Sequence, residues 1–225
     1  MEPAAALAAL EALGDARRAE EMAAYHKAPR RYLGVPVPEI DALTKEWRAG
    51  ATVEDRVVLA AGLWDSDVHE ARIAAARLLT QARIRPDAAV WDEICRWVPT
   101  FDAWAVADHA CSAGARRLSA EPARLDRVEG WTRDPSMWVR RAALVMTLPW
   151  AKGRHPSEAE QAARERILGW AAAYVPDREW FIQKAIAWWL RTLSKHDPAR
   201  VAAFLETHGG AMKPFAVREA GKYLR

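Results

Sequence analysis

Apolar positions recur at helical spacing along almost the whole chain. Amphipathic stretches of roughly 10–18 residues follow one another, each bounded by residues that stop one helix and start the next. The spacing predicts helices over 3–13, 16–28, 37–49, 53–63, 67–82, 87–98, 102–118, 122–132, 136–150, 157–174, 178–195, 198–207 and 213–223. Ser157-x-x-Glu160 reads as a capping box behind Pro156. Asp197-Pro198 reads as an N-cap with a first-turn proline, Asp177 follows Pro176 in the same style, and Gly209-Gly210 reads as a stop. No hairpin signal or sustained alternation argues for a sheet, so the fold class is all-α.

The helices also repeat. Val68-x-x-x-Arg72, Trp104-x-x-x-Asp108, Trp138-x-x-Arg141 and Trp180-x-x-x-Lys184 each place a bulky residue about one turn before a charged one. The charged positions are spaced by 36, 33 and 43 residues. Those steps lie near the length of a two-helix HEAT-type repeat. The expectation is a single domain over 1–225, an α-solenoid of about six HEAT-like helix pairs with a concave basic groove. On that pattern Arg72, Asp108, Arg141 and Lys184 project onto one face, as a binding surface or as the solvated charges of a scaffold.

Composition narrows the function classes. The chain is 51% hydrophobic and 28% charged, an ordinary globular balance. No apolar run approaches the roughly 18 residues of a membrane span. Met1-Glu2-Pro3 opens no secretory leader, and Cys95 and Cys111 are too few for a disulfide framework, so a cytoplasmic chain is expected. His26, His69, His109, His155, His196 and His208 fall in no metal-ligand spacing, and no phosphate-loop motif is present. Neither a metal nor a cofactor is expected.

Net charge is only +3, yet residues 1–112 carry 13 Lys+Arg against 18 Asp+Glu, while residues 113–225 carry 20 against 12. Of the 33 basic residues, 26 are Arg, whose fork matches phosphate oxygens. This polarity permits a polyanion partner without requiring one.

Twelve tryptophans are many for 225 residues. Trp47, Trp91, Trp97, Trp131 and Trp170 sit on apolar faces and read as packing, and Trp64-Asp65 as a turn element. Trp104 stands one turn before Asp108, so indole and carboxylate share a face. Lys184, Trp188 and Arg191 share another, and Trp138 with Arg140 and Arg141 repeats the theme. A face mixing indoles and cations suits a wet groove where rings meet sugars or bases and cations meet phosphates.

Five segments carry a family resemblance: Ala19-Glu-Glu-Met-Ala-Ala-Tyr25, Tyr32-Leu-Gly-Val-Pro36, Trp104-x-x-x-Asp108, Met137-Trp-Val-Arg-Arg-Ala-Ala143 and Trp180-Phe-Ile-Gln-Lys-Ala-Ile-Ala-Trp-Trp-Leu-Arg191. With Lys213–Lys222 as a closing helix, the chain resembles the DNA alkylation repair glycosylases of the AlkD type. The resemblance implies hydrolysis of the N-glycosidic bond of cationic N3- and N7-alkylated purines in duplex DNA, by a monomer and without insertion of the base into a pocket. It implies that Asp108 is the catalytic carboxylate and that Trp104 and Trp188 pack against the deoxyribose of the damaged nucleotide. Tyr25 becomes a further aromatic on that surface and Arg141 a DNA contact. Lys184 and Arg191 join as phosphate contacts, with Trp138 and Arg140 beside them. Ala105 departs from the pattern, because some members carry a second acid directly after the tryptophan; Asp102 lies nearby in sequence. The alternatives are a non-catalytic HEAT-like DNA-binding protein and a protein-binding HEAT scaffold.

Overall fold

A computed structural model describes residues 1–224, which form helices and connecting turns with a single isolated bridge between Arg31 and Val68. It divides into two compact units, Met1–Ala120 and Glu121–Arg225.

The first unit holds α1 (Pro3–Ala12), α2 (Ala16–His26), α3 (Val37–Arg48), α4 (Val53–Asp65), α5 (His69–Leu79), α6 (Ala88–Trp97) and α7 (Trp104–Ala120). Helices α4 and α5 form a pair joined by the turn at 66–68, and α6 pairs with α7. Packing of α1 on α4 and α4 on α6 makes one row, and packing of α3 on α5 and α5 on α7 makes the other. Helix α5 is therefore enclosed, and its sequence allows it: Ala71, Ala74, Ala75 and Ala76 are buried. Their short side chains let three neighbours approach while keeping high helix propensity. In the other row the Trp64 ring stacks on Trp97, centroids 4.4 Å apart and planes 6° apart, and the Trp64 Nε1–H donates to Thr100 Oγ1 at 3.1 Å.

The second unit holds α8 (Leu125–Trp131), α9 (Met137–Met146), α10 (Leu148–Lys152), α11 (Glu158–Ala173), α12 (Trp180–Ser194), α13 (Pro198–His208) and α14 (Pro214–Ala220). Helix α12 is its centre, packed by α9, α10, α13 and α14. The capping box forms as read: Ser157 Oγ accepts from the Glu160 backbone N–H at 3.3 Å, and Glu160 Oε2 accepts from the Ser157 N–H at 2.8 Å. Asp197 Oδ1 caps α13 by accepting from the Arg200 N–H at 3.1 Å, and α13 stops at Gly209.

Two predicted helices are broken. The stretch 136–150 ends at Met146 and resumes at Leu148, because Pro149 lacks the N–H that would bond back and its ring crowds the preceding turn. The stretch 122–132 opens as a 3-10 turn, Pro122–Arg124, before α8 begins. The shared charged face also fails at its first member. Arg72 turns inward, donating from Nε to the Trp64 carbonyl at 3.1 Å and pairing with Asp67 at 3.0 Å. It closes the α4–α5 turn instead of lining a surface.

Candidate functional site

Within the first unit, α2, the start of α3, α5 and α7 surround a recess of about 440 Å³. Its walls are largely apolar, with Met22, Val35, Ile73 and Ala105 among them, and Trp104 and Asp108 stand on its α7 side. Both of these residues are half-buried, a state in which a side chain is held by the fold yet reachable.

The wall contributed by residues 33–37 is fixed by a buried carboxylate. Glu70, in the first turn of α5, is fully buried. Its Oε2 accepts from the Leu33 N–H at 3.0 Å, and its Oε1 accepts from the N–H groups of Gly34 at 2.8 Å and Val35 at 3.3 Å. This clamp works because Gly34 adopts φ +79°, where a Cβ would fall 2.1 Å from the Asp15 carbonyl oxygen. The loop is thereby locked against α2 and α5, and Val35, Pro36 and Val37 face the recess.

Aromatic rings gather around Trp104 and His69. Tyr25 is 69% exposed and meets Trp104 edge-on, centroids 6.0 Å apart. His26 lies 5.3 Å from Trp104 and 4.6 Å from His69, whose ring is 4.7 Å from Tyr32. Burial pushes the His69 imidazole down to about 3, aided by the nearby charges of His26, Arg30 and His109. Burial, with Arg77 nearby, pushes His109 down to about 4 although Asp108 opposes it. Both rings are therefore neutral at pH 7, and His69 Nδ1 is buried with no hydrogen-bond partner among the described residues.

Asp102 does not stand in for an acid at 105. It hydrogen-bonds the buried side chain of Arg30, which also faces Asp67 at 3.8 Å. Among the carboxylates, it is Asp108 that lines the recess.

The remaining predicted residues lie in the second unit. There α12 and α14 enclose a cleft of about 360 Å³ lined by Trp180, Lys184, Trp188, Arg191, Phe215 and Arg218. Gln183 holds these helices together: its Nε2 donates to the carbonyls of Val175 and Asp177, and its Oε1 accepts from the Lys213 N–H. Trp180 is 46% exposed, with Phe215 stacked 5.8 Å away and the Lys184 ammonium 4.6 Å above its ring. Arg191 is paired with Glu219.

Two predicted DNA contacts are drawn inward. Arg140 donates to the carbonyls of Asp134 and Pro135 and to Asp177 Oδ2, all within 2.9 Å. Arg141 is 2% exposed, its guanidinium 5.9 Å from the ring centres of both Trp138 and Phe181. In both cases the short loop between α8 and α9 and the packing of α9 on α12 supply internal partners that a linear charge pattern does not reveal. Sequence reading gives no site role to His26, His69, His109 or Glu70, nor to Trp180, which stands unassigned in a matched segment. Placement of Trp180 one turn before Lys184 was the available signal.

The family model described as "DNA alkylation repair enzyme" matches residues 6–224. Among solved structures, a predicted DNA alkylation repair enzyme from Enterococcus faecalis is 24% identical, covering 94% of this chain and 96% of its own, with a TM-score of 0.76. AlkD2 from Streptococcus mutans is 18% identical, covering 83% and 87%, with a TM-score of 0.61. The smu.31 protein from Streptococcus mutans UA159 is 18% identical, covering 84% and 93%, with a TM-score of 0.62. At these identities the likeness is one of helical-repeat fold. No curated protein sequence matches the chain.

Proposed function

The chain belongs to the DNA alkylation repair enzyme family, and from that premise we propose that it is a DNA glycosylase hydrolysing the N-glycosidic bond of cationic N3- and N7-alkylated purines in duplex DNA. The single observation that carries the reading is the half-buried Asp108 at the recess, one helical turn from Trp104, with Tyr25 exposed at the edge of that indole.

The chemistry follows from the charge of the substrate. An N3- or N7-alkylated purine is already a cation, so cleavage of its bond to C1′ takes the bonding pair onto the base and releases it neutral. Protonation of the leaving group, which most glycoside hydrolyses require, is unnecessary. What the protein must supply is stabilisation of an oxocarbenium-like sugar and a water for C1′. A carboxylate at Asp108 does the first by its charge and the second by accepting the water's proton as the new C–O bond forms. The faces of Trp104 and Tyr25 add attraction for the developing positive charge. Neutral imidazoles at 69 and 109 place no competing cation beside it.

The second unit supplies a different element. Exposed Lys184 over Trp180, with Trp188 and Arg218 in the same cleft, presents a cation and ring faces suited to a phosphate–sugar backbone. The proposal includes action as a cytoplasmic monomer, without metal or cofactor.

The test is release of 3-methyladenine and 7-methylguanine from methylated duplex DNA, followed by chromatography. Time-dependent release is expected. Duplex binding without release of any cationic purine would favour the non-catalytic DNA-binding reading instead.

A further inference from the structure

We propose that the cleft between the C-terminal halves of α3 and α5 is a phosphate-binding site, through which the first unit grips the DNA backbone a few nucleotides from the lesion. The inference rests on the duplex-DNA reading above and gives the acidic half of the chain a backbone contact of its own.

The cleft has a volume of about 370 Å³, and Asp41, Lys45, Arg48, Arg77, Thr80 and Gln81 line it. Lys45 and Arg48 lie in the last turn of α3, and Arg77 in the last turn of α5. Arg56 of α4 stands behind them, its Nη1 donating to Gln81 Oε1 at 2.6 Å and its Nη2 to the Ala51 carbonyl at 2.9 Å. Arg48 Nη1 donates to the Arg77 carbonyl at 3.0 Å, and Arg77 pairs with Asp41 at 2.9 Å. Lys45 is exposed and has no partner among the described residues.

These charges do not balance. Carbonyls and an amide satisfy hydrogen bonds but cancel no whole charge. Among the described residues, Asp41 is the one carboxylate in the lining. The C-termini of α3 and α5 add roughly half a negative charge each, which leaves about two positive charges unspent. Burial first, then the positive charge of Arg56, holds the Arg48 guanidinium below its ordinary value, with Asp41 opposing and Arg77 adding to the effect. An anion relieves such crowding, and phosphate oxygens suit a guanidinium fork.

Position ties the cleft to the chemistry. Val37 and Ile73 line the recess beside Asp108, and Asp41 and Arg77, four residues further along the same two helices, line the cleft. The cleft therefore begins about 5.4 Å beyond the recess, and Arg48 lies about 16 Å beyond Val37. Phosphates recur about every 3.4 Å of axis along one strand, so the cations reach backbone roughly two to five nucleotides from a lesion at Asp108. On α7, exposed Arg116 follows Ser112 of the recess by one turn, so a third helix carries a cation away from the recess.

The test is affinity for a short undamaged duplex across a salt series. The variants are Lys45→Ala and Lys45→Glu, which alter an exposed side chain and leave the packing alone. Arg96→Ala, on α6 and paired with Asp65 and Glu93, is the control and should keep the wild-type slope. Losing one phosphate contact lowers the slope of log affinity against log salt by about 0.9. Lys45→Ala should therefore match the wild-type protein near about 1 M salt and bind about eightfold more weakly near about 0.1 M. Lys45→Glu should bind more weakly still. Single neutral methylphosphonate linkages, stepped away from a tetrahydrofuran abasic analogue, locate the contact. One linkage roughly two to five nucleotides away should weaken the wild-type protein and leave Lys45→Ala unaffected. Slopes equal to wild type in both variants overturn the proposal and leave the glycosylase reading intact if methylpurines are released. Saturation by inorganic phosphate in phosphorus NMR, lost in Lys45→Glu while duplex slopes stay unchanged, assigns the cleft to a free ion and also overturns it. A wild-type protein that releases no methylpurine counts against the glycosylase reading, whereas the slopes on undamaged duplex still decide the cleft.

Discussion

Replacing Glu70 by Gln tests how the recess is built. In the native fold the two carboxylate oxygens accept three backbone N–H groups at 2.8, 3.0 and 3.3 Å, in a fully buried setting. The amide keeps one oxygen and turns the other into a donor. If the oxygen stays on Gly34 and Val35, the new NH₂ faces the Leu33 N–H; if the amide flips, Gly34 and Val35 lose their acceptor. Either way at least one hydrogen bond to a charged acceptor is removed, worth about 1.5–3 kcal/mol, and a buried donor is left facing a donor. The expected cost is about 2–3 kcal/mol, partly relieved if the loop shifts away from α5. Urea unfolding followed by circular dichroism measures it as a lower midpoint at unchanged slope. Glu20→Gln, on the exposed face of α2, is the control and should stay within about 0.5 kcal/mol of wild type. A Glu70→Gln protein as stable as that control would refute the clamp.

Acid should also destabilise the fold. His69 and His109 have folded pKa values pushed down to about 3 and about 4, below the roughly 6.5 of an unfolded histidine. Below pH 6.5 the unfolded chain takes up protons that the fold refuses, so stability falls with pH through that window. Between pH 7.5 and 5.5 the pair should remove on the order of 2–3 kcal/mol, read from urea midpoints; a midpoint that is flat or rises on acidification would contradict it. Lys184→Ala should lower duplex affinity and reduce the slope of log affinity against log salt by about one, whereas Arg140→Ala, whose guanidinium is held by Asp134, Pro135 and Asp177, should leave the slope alone and lower stability. The reverse pattern would assign the phosphate contact to the wrong residue.

Much of the helical architecture could be read from local signals, because its causes are local. The Ser157–Glu160 box, the Asp197 cap and the stop at Gly209 involve residues within a few positions of one another. Proline was also legible, but its effect at Pro149 was underestimated by a reading that followed apolar periodicity across it. The indole and acid at 104 and 108 stood out because one helical turn separates them. The clamp at Glu70 did not, since it joins residues 35–37 positions apart through backbone N–H groups that no side-chain pattern encodes. His69 was weighed as a metal ligand and set aside, whereas what distinguishes it is burial among Tyr32, His26 and the α5 packing. Arg140 and Arg141 show the same limit from the other side: a charge pattern counts cations but not the carbonyls, carboxylates and rings that occupy them.

The measurement that bears most directly on the proposed activity is single-turnover release of 7-methylguanine by Asp108→Asn beside the wild-type protein, with duplex affinity determined on the same samples. Asparagine keeps the size of the side chain and removes its charge. The account predicts excision reduced by about a hundredfold or more, in line with loss of a group acting electrostatically on the transition state, and affinity equal or higher. An Asp108→Asn protein that excises at the wild-type rate would contradict it.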